Sequence, residues 1–177
     1  AGWFSRLAAR NGHNVISLDC DEAALARLEH HAAMDSLSIM PLSCEFSRMR
    51  QLYPLVGHQH LGRFEADVVL ALAIIHHLVF KARMPFAEIV DTLARLTRST
   101  LIVEYMDEAD ESTRTFRREG DAPWYCVENL RTELEKHFQS IEIRPSTVGM
   151  ERFLFVCREK RHQPARHIEV VQQQPEE

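Results

Sequence analysis

The run Phe64-Glu65-Ala66-Asp67-Val68-Val69-Leu70-Ala71-Leu72-Ala73-Ile74-Ile75-His76-His77-Leu78 decides the fold class. From Val68 to Ile75 every residue is apolar, and the run stops at two adjacent histidines. A stretch of Val, Leu, Ala and Ile without polar alternation suits a strand over Asp67 to Ala73 covered on both faces, as in a parallel sheet. In open α/β sheets ligands bind in the crevice beyond the carboxyl ends of the strands. The segment from Ala71 to His77 is therefore expected at the mouth of a ligand pocket.

Working outward, helices and strands alternate. Trp3 to Asn11 has apolar residues at helical spacing, and Asn11-Gly12 closes it as a C-cap would. Asn14 to Leu18 is a β-rich run closed by Asp19, and Asp21 is the N-cap of a helix from Glu22 to about His31. Leu37 to Leu42 reads as a further strand. Ser43 to Arg63 reads as loop, with one helical turn around Arg48 to Tyr53. Pro85 opens a helix at its first position, with Ile89, Val90, Leu93 and Leu96 on one face. Thr100 to Tyr105 is an apolar strand. Ser112 to Trp124 is a charged helix and lid-like loop, and Val127 to His137 a helix. Phe138 to Ile143 and Arg152 to Cys157 pair as a closing antiparallel hairpin. This order predicts an α/β protein with a doubly wound, Rossmann-like, mostly parallel sheet and a reversed C-terminal strand. The first strand of such a sheet and its glycine turn are expected immediately upstream of Ala1. The domain is expected to span 1–159, with 160–177 a polar disordered tail.

Composition narrows the function. The chain has 177 residues, enough for one domain with a real core, and a net charge of -5. That charge gives no basic footprint for nucleic acid. No apolar stretch reaches the roughly 18 residues a membrane span needs. Cys20, Cys44, Cys126 and Cys157 stand far apart, with no Cys-x-x-Cys pair. They read as reduced core thiols of a cytoplasmic protein, neither a disulfide frame nor a zinc site.

Gly2 at a helix start and Asp19 at a strand end form half of a nucleotide-binding signature, in which the acid accepts hydrogen bonds from ribose hydroxyls. Taken alone, the two suit equally a helix-start glycine and a strand-end aspartate that bind nothing. Three segments carry a sharper resemblance: Gly2 to Arg10 (GWFSRLAAR), Val15 to Asp19 (VISLD) and Asp67 to Leu78 (DVVLALAIIHHL). Together with the terminal hairpin they resemble the class I S-adenosylmethionine-dependent methyltransferases, over roughly Ala1 to Cys157. The resemblance implies S-adenosylmethionine as cofactor and direct in-line methyl transfer to an unidentified acceptor, a small molecule by preference. It implies that Gly2 is the last glycine of the cofactor turn and Asp19 the ribose acid. Cys20 would lie beside the adenine, Glu45 would face the adenine amino group and Phe46 would flank it. Ala71 and Leu72 would turn their backbone to the cofactor. Ala71-Leu72-Ala73 stands where some relatives carry Asp or Asn, which removes one candidate group for orienting an amine.

His76 and His77 are the candidate catalytic pair, because an imidazole near its ordinary pKa of about 6.5 can remove a proton at neutral pH. The alternative is packing at a helix start. Adjacent histidines diverge and no supporting ligand lies nearby in sequence, so no metal site is expected. Glu104, ending a strand at the same carboxyl edge, is the third catalytic candidate, with Asp107 as its neighbour. Trp124 and Tyr125 are expected either as an aromatic wall or as loop packing. His30, His31, His58 and His60 read as solvated. Two other functions compete: a nicotinamide-dependent oxidoreductase on the same kind of sheet, and a truncated domain that binds without catalysis.

Overall fold

The computed structural model describes residues 2–49, 64–118, 120–146 and 152–161. The expected tail, His58, His60 and most of the turn at Arg48 to Tyr53 lie outside these residues, although 46–49 are helical. The chain opens with α1 (Trp3–Arg10), β1 (Val15–Asp19), α2 (Glu22–Met34) and β2 (Ile39–Ser43). Asp21 caps α2 as its sequence demands, accepting the Ala24 N–H at 3.0 Å. The helix runs past His31 to Met34, with Asp35 as its C-cap. β1 and β2 pair in parallel, from Val15 against Ile39 to Asp19 against Ser43.

The second part holds β3 (Ala66–Ala71), α3 (Ile75–Phe80), α4 (Phe86–Leu96), β4 (Thr97–Met106), α5 (Glu111–Phe116), α6 (Val127–Glu135), β5 (Phe138–Pro145) and β6 (Arg152–Lys160). Pro85 is the N-cap of α4, one position earlier than its ring predicts. The four strands form one sheet in the order β3-β4-β6-β5. β3 is parallel to β4, and β6 runs antiparallel to both of its neighbours, β4 and β5. The reversed last strand is thus inserted between β4 and β5, which is the expected mixed edge.

One feature of β3 departs from its sequence. A run without polar alternation predicts cover on both faces, yet Val68 is 53% and Leu70 45% exposed. Val69 and Ala71 face the core, whereas no described element covers the opposite face. Among the described residues β1 pairs only with β2, and β3 only with β4. Among the described residues the strands therefore form two separate sheets.

The core lies between α4, α6 and the four-stranded sheet. Ile89, Val90 and Leu93 of α4, Leu130 and Leu134 of α6, Leu101 and Val103 of β4, and Phe138 and Phe155 of the hairpin are all buried. α4 passes into β4 without a loop: Thr97 is at once the C-cap of the helix and the first residue of the strand. Its hydroxyl donates to the Leu93 carbonyl at 2.7 Å and its own carbonyl accepts Lys160 Nζ at 2.8 Å. The cysteines correct an expectation. Cys157 alone is buried, with its thiol pushed up to about 12 by that burial, while Cys20 is exposed and Cys44 and Cys126 are half-buried. The reason is placement, since Cys20 and Cys44 lie just past strand ends and Cys126 caps α6. Leu134→Ala removes a fully buried side chain between α6 and the sheet. It should lower unfolding stability by about 2–5 kcal/mol in urea titrations.

Candidate active site

Two strand ends bring the first group of candidates together. Asp19 ends β1, and its carbonyl accepts the Cys44 N–H at 2.9 Å, so the turn after β2 is stitched to the turn after β1. Cys20, Cys44 and Glu45 therefore gather beside Asp19. Asp19 is exposed; Oδ1 accepts the Asp21 N–H at 3.0 Å, and Oδ2 is uncommitted among the described residues. Glu45 is also exposed, with Ser47 Oγ at 2.8 Å from one oxygen and Arg48 Nε at 2.8 Å from the other. Phe46 is half-buried and packs against the main core. Gly2 is the N-cap of α1 at φ 66, in the left-handed region. A Cβ there would stand 2.5 Å from Leu28 Cδ1, a buried side chain of α2. Gly2 is thus favoured by its backbone angle, and a Cβ there would press on the Leu28 side chain.

The end of β3 carries the second group. Ala71 is buried and Leu72 half-buried, and Ala73 turns the chain at φ 53 into α3. His76 is 3% exposed and His77 half-buried, their ring centroids 4.2 Å apart. Phe116 of α5 lies over His77 at 4.6 Å, and Lys81 Nζ stands 3.9 Å above the Phe116 ring. Burial pushes the His76 imidazole down to about 4, helped by the neighbouring His77, by Arg152 and by Lys81, and opposed by Asp110. His77 is lowered by burial and by Lys81. The lowering favours the neutral ring in both and makes each a weaker base than an ordinary imidazole, His76 the more so. The half-buried His77 is the more accessible of the two.

Glu104 does not stand free at a strand end. It is 8% exposed within β4, accepting the Ala73 N–H at 2.9 Å on one oxygen and Ser146 Oγ at 2.8 Å on the other. Arg152 is a residue that the sequence did not single out. It grips Asp110, the N-cap of α5, through Nε at 2.7 Å and Nη2 at 3.3 Å, and reaches Ser112 at 3.3 Å. This pair holds the Asp110 carboxyl below the usual range and raises Arg152. Arg152 and Asp110 lie 42 residues apart, and no local pattern signals such a contact. Tyr125 is core: its hydroxyl donates to the Met106 carbonyl at 2.8 Å and its ring stacks on Tyr105 at 5.0 Å. Trp124 meets Phe86 edge-on at 5.1 Å. His30 and His31 are exposed. Among the described residues no cluster of three or more His, Cys, Asp or Glu could hold a metal ion, and no helix is long and apolar enough to cross a membrane.

His76 gives stability a pH dependence. Its folded pKa of about 4 lies below the unfolded value of about 6.5, so between these limits the unfolded chain binds more protons. Stability from this group is complete above the unfolded value and is lost as pH falls through the folded one. His77 and His137, both lowered by burial, act with the same sign. Urea stability measured from pH 7.5 to pH 4 should fall, and His76→Phe should flatten that slope. A ring titration of His76 by NMR with a midpoint near 6.5 would contradict the burial argument.

Comparison with known proteins bears on the fold. No protein-family model matches the chain. The nodulation protein NoeA of Rhizobium meliloti (strain 1021) is 31% identical over 117 residues, 64% of this chain and 24% of NoeA. The chain thus spans about a quarter of the length of this curated relative. Among solved structures, the bifunctional kinase-methyltransferase WbdD matches with a TM-score of 0.60 at 15% identity, over 89% of this chain and 32% of WbdD. The PH0226 protein of Pyrococcus horikoshii OT3 matches with a TM-score of 0.60 at 16% identity, over 90% of this chain and 77% of PH0226. With β6 reversed between β4 and β5, the chain shares the Rossmann-like α/β fold of these solved structures, the kinase-methyltransferase WbdD among them.

Proposed function

We propose that this chain forms the core of a cytoplasmic, S-adenosylmethionine-dependent methyltransferase acting on a small-molecule acceptor. One observation carries the reading: the Cys44 N–H bonded to the Asp19 carbonyl brings two exposed acids, Asp19 and Glu45, to adjoining strand ends. A carboxylate oxygen left uncommitted there suits the vicinal hydroxyls of a ribose, which need an acceptor. Glu45 and the half-buried ring of Phe46 suit an adenine edge and face. The residues present therefore fit an adenosine group. The free thiols agree with a reducing compartment.

In this reading Asp19 accepts hydrogen bonds from the ribose, Glu45 faces the adenine amino group, and Cys20 and Phe46 flank the ring. Gly2 lets α1 begin close to the cofactor, and the backbone of Ala71 and Leu72 lines the other side. S-adenosylmethionine, when bound, supplies a methyl group already activated by its sulfonium. The chain then has chiefly to hold the acceptor in line, and orientation of this kind is worth up to about 7–11 kcal/mol. His77, neutral and the more accessible, takes the proton of the acceptor nucleophile. His76 packs behind it and keeps the ring in place. Phe116 closes over the pair and excludes water.

Asp19→Ala should abolish binding of S-adenosylhomocysteine in calorimetry while leaving the circular dichroism spectrum unchanged. Equal affinity in the variant sinks the assignment of the ribose site. Uptake of NAD instead of S-adenosylhomocysteine would replace the reading by an oxidoreductase, and uptake of neither by a binding domain without catalysis.

A further inference from the structure

Among the described residues the turn between β3 and α3 has no side-chain cap. Ala73 takes φ 53, a left-handed angle that costs a residue with a Cβ roughly 1–2 kcal/mol. Its side chain is exposed, so packing does not impose that angle. The N-cap of α3 is Ile74, which offers no side-chain hydrogen bond, and the helix is six residues long. Neither capping nor helix length therefore fixes where His76 and His77 point. A single side-chain bond meets this turn among the described residues, from the Ala73 N–H to Glu104 Oε2 at 2.9 Å.

The other oxygen of Glu104 accepts from Ser146 Oγ at 2.8 Å. Ser146 lies at the base of the β5–β6 hairpin, where its N–H also donates to the Arg152 carbonyl at 2.9 Å. The carboxylate thus spans from the hairpin to the turn, inside β4, which is paired on both sides. Because β4 is held in the sheet, a bond from it transfers the position of the sheet to the turn. An ionised carboxylate accepts from both donors at once, and bonds to a charged acceptor are shorter and stronger than neutral ones.

We propose that Glu104 is a positioning residue, whose buried carboxylate pins the Ala73 amide and thereby sets where the His76–His77 pair stands against the end of β3. The functional weight of this role rests on the methyl-transfer reading; its geometry does not. Glu104 then needs to be an acceptor and need not be a charge. Glutamine can accept the Ala73 N–H while its amide donates to Ser146, whose hydroxyl turns to accept. Leucine fills similar space and meets neither donor.

Amide exchange and histidine ring spectra test the proposal without any ligand. In the wild-type chain the Ala73 amide should exchange at least about a hundredfold slower than in an unstructured peptide. Glu104→Leu should speed that exchange about tenfold or more and shift the His76 and His77 ring signals, whereas Glu104→Gln should leave both close to wild type. Ser146→Ala, a smaller change at a half-buried site, should give a smaller acceleration of the same amide, which keeps the test open should Glu104→Leu fail to fold. Free exchange of Ala73 in the wild type overturns the proposal. So does Glu104→Gln behaving like Glu104→Leu, which would mark the charge itself as the required feature. S-adenosylhomocysteine calorimetry on the same proteins separates the two ideas. Wild-type protein that binds none while the amide effects hold defeats the methyl-transfer reading and leaves the positioning role intact.

Discussion

The pairing of β4 with parallel β3 on one side and reversed β6 on the other is the constraint on which the site depends. It fixes which residues of β4 look where. Leu101, Val103 and Tyr105 share one face and are buried in the core. Glu104, one residue out of step, turns to the opposite face and meets the turn after β3. Reversal of β6 then brings Arg152, the first residue of that strand, beside Met106 at the end of β4. A parallel last strand would carry Arg152 to the far edge of the sheet, away from Asp110. One change of strand direction thus supplies the site with its strongest charged contact.

The charges around the site differ in worth. Arg152 and Asp110 form a two-pronged, largely buried pair joining the start of β6 to the cap of α5. Loss of one partner would leave a buried charge, which is costly. Arg83 with Asp121, and Arg117 with Glu108, lie nearer solvent, where a pair contributes about 0–1 kcal/mol. Lys81 over Phe116 is also exposed. The segment that lies over the histidines is therefore anchored firmly at its first residue and lightly beyond it.

Much of the fold was legible because local rules decided it. The Asp21 cap, the hairpin and the strand that ends before two histidines all follow from short patterns. Val68 and Leu70 were misread because their run states that they are apolar, not that a neighbour is present to cover them. Asp19 and Glu45 could be placed at strand ends, but the Cys44 bond that joins those ends depends on the register of β1 and β2. The role of Glu104 was hidden for a different reason. Its partners, Ala73 and Ser146, lie 31 and 42 residues away, and one of them contributes only a backbone amide. Side-chain identity carries no signal for such a contact.

The junction of α4 and β4 has a consequence for sequence change. With Thr97 serving both elements, no spare residue lies between them. A single insertion there would move β4 by one position against β3 and β6, and in a strand one step exchanges the two faces. Glu104 would be driven into the core, and a neighbouring apolar residue would face the turn. The boundary between the two elements therefore does not tolerate a change of length. Natural variation in length is expected to collect elsewhere, in segments whose ends do not set a strand's parity.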